Sequence, residues 1–280
     1  MATKIPEYEL NDGTTLPAIG FGTYPLTGEE GVESFLSALE TGYRLLDSAV
    51  NYGNEAEVGE AVRRSSVPRE QVWVTSKLPG RDHAFDRALA AIEGSVERSG
   101  LEYLDLYLIH WPNPAEDLYV QAWRALVEAH RRGLVRSIGV SNFLPEHLER
   151  VSDDTGVMPS VNQVELHPYF PQVEQRSWEV EHGVRTQSWS PLGRASSVLR
   201  EPVIEQIASA HGRSTAQVIL RWHHQLGSIP LPKAAGPERQ RENLEIFDFS
   251  LSEEEVASIT ALGRPDGRNK GQDPAVHQEF

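Results

Sequence analysis

Short apolar runs alternate with amphipathic stretches along nearly the whole chain. The runs fall near residues 18–24, 43–47, 72–77, 104–110, 135–140, 160–165, 184–189 and 228–232, each short enough for a strand. Helical spacing of apolar positions fills the intervals near 29–40, 55–65, 86–99, 119–132, 145–155, 172–182 and 202–224, the last broken near Gly212. Strands separated by helices pair in parallel, because each crossover returns the chain to the edge it left. Runs such as Leu106-Tyr107-Leu108-Ile109 lack polar alternation, as expected of strands roofed by helices. Eight such units predict an α/β fold, a closed (β/α)8 TIM barrel rather than an open sheet.

Additions frame that repeat at both ends. Tyr8-Glu9-Leu10 and Thr14-Thr15-Leu16 flank Asn11-Asp12-Gly13, whose Asp-Gly pair signals an N-terminal hairpin. Two extra C-terminal helices are expected near 237–244 and 252–262, the second opened by the capping box Ser252-Glu253-Glu254-Glu255. The tail 263–280, polar with Gly and Pro, reads as a loop over the barrel or as partly disordered. With no internal repeat or linker, 1–280 is expected to be one domain, with 1–16 as the hairpin segment.

The strand ends are where the sequence changes character. Leu45-Leu46-Asp47 leads into Ser48-Ala49-Val50-Asn51-Tyr52, Val72-Trp73-Val74-Thr75-Ser76 ends on Lys77, and Asp105-Leu106-Tyr107-Leu108-Ile109 ends on His110. If these strands are parallel neighbours, a carboxylate, a phenol, an ammonium and an imidazole converge on one end of the sheet. Active sites of such barrels lie at that C-terminal face. Ser141, Asn142, Gln163, Trp189 and Lys233 also fall at or near strand exits. Any one of them alone is a cap or a solvated group; together they mark a site.

Composition narrows the chemistry. There is no cysteine, which excludes disulfides, thiolate metal sites and a catalytic thiol and fits a cytoplasmic location. The start, Met1-Ala2-Thr3-Lys4-Ile5-Pro6, lacks the apolar core of a signal peptide, and no run approaches the ~18 apolar residues of a membrane span. A net charge of −15 argues against nucleic acid and anionic membranes as partners. The expected partner is a small molecule. No metal is expected: His223-His224 lacks an acidic ligand at metal spacing. His83, His130, His147, His182 and His211 read as solvated, and Asp105, at the start of its strand, as part of the barrel's stability face.

The ordered motifs Asp47…Tyr52-Gly53-Asn54-Glu55, Lys77, His110-Trp111-Pro112, Gly139-Val140-Ser141-Asn142 and Asn162-Gln163-Val164-Glu165-Leu166-His167-Pro168 resemble the aldo-keto reductases. Trp189-Ser190-Pro191-Leu192-Gly193, Pro232-Lys233 and Glu242-Asn243-Leu244 continue the likeness, which is strongest to the bacterial 2,5-diketo-D-gluconate reductase-like branch. The resemblance implies an NADPH-dependent, monomeric reductase of aldehydes, ketones or sugar-derived keto acids. It makes Tyr52 the general acid, Lys77 its tuner, Asp47 the partner of Lys77, and His110 the holder of the substrate oxygen. A free phenol titrates near ~10, and a neighbouring ammonium is expected to lower that by about 1–3 units. For the cofactor, the resemblance implies Ser141, Asn142 and Gln163 on the nicotinamide amide and Trp189 stacked on its ring. Gly22, Thr23, Tyr24, Asp47, Ser190 and Pro191 are implied as further cofactor contacts, with Leu192 and Gly193 at the pyrophosphate. Lys233 and Arg239 fall to the adenosine 2′-phosphate, and Glu242 and Asn243 to the adenine. Phe21, Tyr24, Ala49, Tyr52, His110, Trp111 and Arg194 are expected to line the substrate pocket, Arg194 reading chiefly as an exposed loop residue. A dinucleotide-fold reading of Gly20-Phe21-Gly22 fails, since Pro25 stands where a third glycine is needed.

The chain departs from the resembling branch at two points. Ala234 and Gly236 stand where relatives carry Ser and Arg, so NADPH preference is expected to be reduced and NADH to be usable. Lys77-Leu78-Pro79-Gly80 lacks the aromatic that relatives often place after the Leu, which removes an apolar wall of the pocket. Two other classes compete. A nicotinamide-binding regulatory or partner protein with little turnover would keep the same motifs. A metal-dependent barrel hydrolase would need several His and Asp ligands at strand ends, where only Asp47 and His110 qualify and Lys77 lies between them.

Overall fold

The structure is a computed structural model that describes residues 5–195 and 197–279. Residues 1–4, which include most of the start read for a signal peptide, Ser196, and residue 280 of the tail lie outside the described residues. A hairpin of β1 (Glu7–Glu9) and β2 (Thr15–Pro17) comes first. Its turn is held by Asp12 Oδ1, which accepts from the backbone N–H and the hydroxyl of Thr14 at 2.9 and 2.7 Å.

Eight parallel strands follow and pair in sequence order: β3 (Phe21–Gly22), β4 (Leu45–Asp47), β5 (Trp73–Leu78), β6 (Leu104–Ile109), β7 (Val135–Ser141), β8 (Val161–Glu165), β9 (Arg185–Trp189) and β10 (Ile229–Pro230). The two ends of this sheet meet. The N–H groups of Gly20 and Gly22 donate to the carbonyls of Pro230 and Pro232 at 3.0 and 3.1 Å, closing the barrel. Around it lie α1 (Gly28–Thr41), α2 (Glu55–Arg64), α3 (Phe85–Ser99), α4 (Tyr119–Arg131), α5 (Pro145–Thr155), α6 (Val173–Glu181), α7 (Pro202–His211), α8 (Thr215–Gln225), α9 (Pro237–Leu244) and α10 (Glu253–Thr260). Gly212, at φ +60°, ends α7, and Ser214 opens α8 with a capping box to Gln217. No helix among the described residues is long and apolar enough to cross a membrane.

Alternation along the strands builds two cores. Leu45, Trp73, Leu106, Leu108, Val161, Ile229 and Leu231 fill the barrel interior, joined by Leu10 and Leu16 from the hairpin end. Leu46, Val74, Tyr107, Ile109 and Val140 belong to a second cluster with helix residues such as Phe35, Val58, Ile92 and Trp123. A Cβ on Gly20 would lie 2.5 Å from Leu231 Cδ2 and 2.7 Å from Leu45 Cδ2, so any side chain there would have to displace both leucines.

The segment 263–279 lies as an ordered loop against the C-terminal loops of the barrel. Arg264 N–H donates to the Tyr169 carbonyl at 3.1 Å, Asn269 N–H to Glu165 Oε1 at 2.6 Å, and the His277 ring sits 4.3 Å from that of Trp111. Glu165 and His167, themselves 3.0 Å apart, thus serve to fasten this segment.

Candidate active site

Successive residues of a strand face opposite sides, and the inward stripes of three neighbouring strands change character in the same way. Leu45 is followed two places on by Asp47, Trp73 by Thr75 and Lys77, Leu106 and Leu108 by His110. The apolar members fill the barrel and the polar ones emerge at its C-terminal rim. Tyr52 ends a single 3-10 turn, Val50–Tyr52, directly after β4.

Lys77 is buried and uses its three donors on three acceptors. Its Nζ lies 2.8 Å from Asp47 Oδ2, 2.8 Å from the Ser48 carbonyl and 3.4 Å from the Tyr52 hydroxyl. Asp47 Oδ1 accepts from Gln163 Nε2 at 2.8 Å. Burial works against the Lys77 ammonium, but the charge of Asp47, assisted by Tyr52 and the hydrogen bonds, outweighs it and leaves the pKa raised. Tyr52 is also raised: burial of the phenol exceeds the downward pull of Lys77, and Asp47 adds to the rise. This reverses the lowering expected from sequence. An ammonium can be counted from residue types, whereas the desolvation that outweighs it depends on the fold. Tyr52 is therefore protonated at neutral pH. Its ring lies 5.9 Å from that of His110 and 5.1 Å from that of Tyr24.

A second group surrounds Trp189, at the end of β9. Trp189 Nε1 donates to Asn142 Oδ1 at 2.8 Å, Asn142 Nδ2 to the His110 carbonyl and to Ser141 Oγ at 3.0 Å each, and Ser141 Oγ to the Gln163 carbonyl at 2.7 Å. Asn142 takes φ +62°, a left-handed conformation that Asn tolerates better than most residues. Thr23 is spent on scaffolding, its hydroxyl donating to the Asp47 carbonyl at 2.8 Å. Tyr24 is 55% exposed beside Tyr52. Gly22 approaches the last strand so closely that a Cβ would lie 3.0 Å from the Leu231 carbonyl oxygen. Ser190 and Leu192 are half-buried; Pro191 and Gly193 are buried, with the Pro191 carbonyl against His223 Nε2 at 3.1 Å. Lys233 and Arg239 are exposed and make no ion pair among the described residues; Glu242 is half-buried. Buried amide and hydroxyl groups beside a half-buried indole, with two free cations farther along the rim, suit a nicotinamide dinucleotide.

Some expected residues lie elsewhere. Phe21 is buried edge-on against Phe35 and Tyr43, at 6.2 and 5.4 Å, so it faces the helix layer and not the substrate pocket. Ala49 has no exposed surface and does not line the pocket. Asn243 is buried and bonds the Tyr43 hydroxyl, so it secures α9. Arg194 is exposed, its Nε donating to Ser190 Oγ at 3.2 Å. Trp111 is buried under His277. His83 and His147 are buried rather than solvated. Among the described residues no group of three or more His, Cys, Asp or Glu could hold a metal ion.

One rim residue gave no signal in the sequence. The Glu279 carboxylate lies 2.7 Å from His110 Nδ1, and it accepts from Asn51 Nδ2 at 2.8 Å and from the Gly80 N–H at 3.1 Å. Asn113 holds its backbone on both sides, at 2.6 and 3.0 Å. Burial pushes the Glu279 pKa up, but His110, Asn51 and Gly80 outweigh it and hold it below the usual carboxylate range.

Comparison with known proteins places the chain. The Aldo/keto reductase family matches residues 18–264. A relative named 2,5-diketo-D-gluconic acid reductase B, from Corynebacterium sp., is 52% identical over 277 residues, covering 99% of both chains. A solved mutant of Gox0644 in complex with NADPH superposes with a TM-score of 0.93 at 42% identity, covering 99% of this chain and 100% of the other. An aldo-keto reductase of Bombyx mori in complex with NADP gives 0.90 at 31% identity, with 100% and 99% covered. Both the polar rim and the likeness that spans the whole barrel assign this chain to the aldo/keto reductase family.

Proposed function

We propose that the chain is an NADPH-dependent carbonyl reductase that acts on aldehydes, ketones or sugar-derived keto acids, with Tyr52 as general acid. The observation that carries this reading is the Lys77 ammonium, bonded at once to Asp47, to the Ser48 carbonyl and to the Tyr52 hydroxyl. Solved relatives bind NADPH or NADP, and a close relative is named for a diketo sugar acid.

Bound NADPH supplies the hydride. The chain's own residues supply the alignment and the proton. His110 holds the carbonyl oxygen beside the Tyr52 hydroxyl, and Tyr52 passes its proton to the oxygen as negative charge develops there. Lys77 offsets the charge left on the phenol, and Asp47 keeps Lys77 charged and placed. In the reverse direction the same phenol, once ionised, is the base. Ser141, Asn142 and Gln163 would hold the nicotinamide amide, Trp189 would support its ring, and Lys233 and Arg239 would meet the 2′-phosphate. Ala234 and Gly236 bring no side-chain donor to that phosphate, so NADH remains usable.

The test follows NADPH absorbance with a panel of aldehydes, dicarbonyls and sugar keto acids, in wild type and Tyr52→Phe. Turnover is expected in wild type and lost in the variant while NADPH still binds. Tight NADPH binding with no turnover of any carbonyl would overturn the reductase reading in favour of a cofactor-binding partner protein.

A further inference from the structure

The wall of the substrate site that the sequence leaves bare is filled by a carboxylate. After β5 the chain runs Pro79-Gly80, and a Cβ on Gly80 would meet Asn113 Nδ2 at 2.1 Å and the Glu279 carbonyl oxygen at 2.4 Å. The 263–279 segment thus enters through space that a side chain at position 80 would occupy, and it sets the Glu279 carboxylate 2.7 Å from His110 Nδ1. Glu279 makes no ion pair with Lys or Arg among the described residues. Arg81 turns to Asn51 Oδ1 at 2.6 Å and Arg194 to Ser190; among the described residues His110 is the side chain that pairs with that charge, and Tyr52, His83 and His277 lie within its field.

We propose that Glu279 determines substrate specificity: its carboxylate beside His110 makes the site reject carbonyls that carry a carboxylate on the adjacent carbon and favour their neutral counterparts. The inference rests on the carbonyl-reductase reading and narrows it. With Nδ1 taken by Glu279, a carbonyl oxygen held by the other ring nitrogen of His110 sets its neighbouring carbon across the imidazole from that carboxylate. A second carboxylate on that carbon meets a like charge in a site of reduced effective dielectric. A carboxylate several carbons along the substrate lies beyond that contact and is tolerated.

The experiment uses one 2-keto acid and its ester, phenylglyoxylate and methyl phenylglyoxylate, with NADPH. The ratio of kcat/KM for the acid to that for the ester is measured in wild type, Glu279→Gln and Glu279→Lys. The ratio is expected to rise about tenfold or more in Glu279→Gln and further in Glu279→Lys, chiefly through KM. A ratio that stays constant overturns the proposal, including the case where both substrates speed up together, as they would on removing a steric plug. Dissociation constants of the same pair on the NADP+-loaded protein read the preference without turnover. For a protein that reduced neither compound, the reductase reading would stand or fall on the wider carbonyl panel, while those constants would still decide for or against Glu279.

Discussion

Two buried aspartates flank β5 from opposite ends of the barrel, and they are put to different use. Asp105, at the start of β6, is fully buried and receives Arg69 at 2.8 Å, Arg136 at 2.9 Å and the Val74 N–H at 2.9 Å. Arg69 spends its other donors on the Val72 and Tyr103 carbonyls at 2.7 and 2.9 Å, and Arg136 lies over the Trp73 ring, so these contacts stay within the scaffold. Asp47, at the end of β4, holds Lys77 and Gln163, but Lys77 passes the contact on to a phenol at the rim. Both carboxylates are paired against the cost of burying a charge, although at Asp105 burial still outweighs the arginines and holds the pKa above the ordinary carboxylate value. The difference lies in the partner: guanidinium groups on the carboxylate make a brace, and an ammonium whose third donor reaches a phenol makes the arrangement proposed above for proton transfer.

The comparison is broken or sharpened by exchanging the two outcomes. Tyr52→Phe should lower kcat by about 10²–10⁴-fold while thermal stability and NADPH affinity hold. In wild type, the raised Tyr52 pKa keeps the phenol protonated, so reduction should be level across neutral pH and fall only above the ordinary phenol value of 10.0. Alcohol oxidation should rise over that same alkaline range, and a pH–rate limb near neutrality would contradict the assignment. Asp105→Ala should do the opposite of Tyr52→Phe, costing about 3 kcal/mol in urea unfolding with kcat of the folded enzyme retained. A loss of kcat without a loss of stability would erase the distinction between the two ends.

A third buried carboxylate sharpens it further, because its direct partners are all neutral. Glu179 on α6 accepts from Asn162 Nδ2 at 2.7 Å, Gln175 Nε2 at 2.8 Å and the Thr186 hydroxyl, and burial lifts its pKa to about 7. The folded state then binds this proton more tightly than the unfolded state does. Its contribution to stability is full at low pH and declines as pH rises from the ordinary Glu value through about 7. Glu179→Gln should remove that slope and leave the protein about 1–3 kcal/mol more stable than wild type near pH 8 in urea melts. The smallest effect belongs to the exposed end of the proposed cofactor site. Lys233→Ala and Arg239→Ala should each cut the NADPH-to-NADH ratio of kcat/KM about tenfold, or ~1.4 kcal/mol.

The barrel was legible because each strand is a compact apolar run and each helix keeps its own period, so local pattern and global fold agree. The rim was legible because ionisable residues close those runs. Which face a residue takes was harder. Phe21 sits between Gly20 and Gly22, and one step along a strand turns a side chain from the interior to the helix layer. Ala49 lies one residue from Ser48 and three from Tyr52, yet it is sealed in. The direction of the Tyr52 shift needed the extent of burial, which residue types do not carry. Glu279 was invisible for another reason: it meets Asn113 across 166 residues of sequence, in a polar segment without motif or period.

The seam of the barrel has a consequence for that rim. Pro230 and Pro232 turn their carbonyls toward Gly20 and Gly22, while the N–H of Leu231, between them, donates to the Ser188 carbonyl on β9 at 3.1 Å. A proline offers no N–H. If the last strand slipped by one residue, a proline would face β9, the bond to Ser188 would vanish and Leu231 would leave the interior. The two prolines therefore act as a keyway that admits the closing strand in a single register. Lys233 follows directly, so the station of the cation expected to read the cofactor's phosphate is indexed by where in that strand the chain withholds a hydrogen.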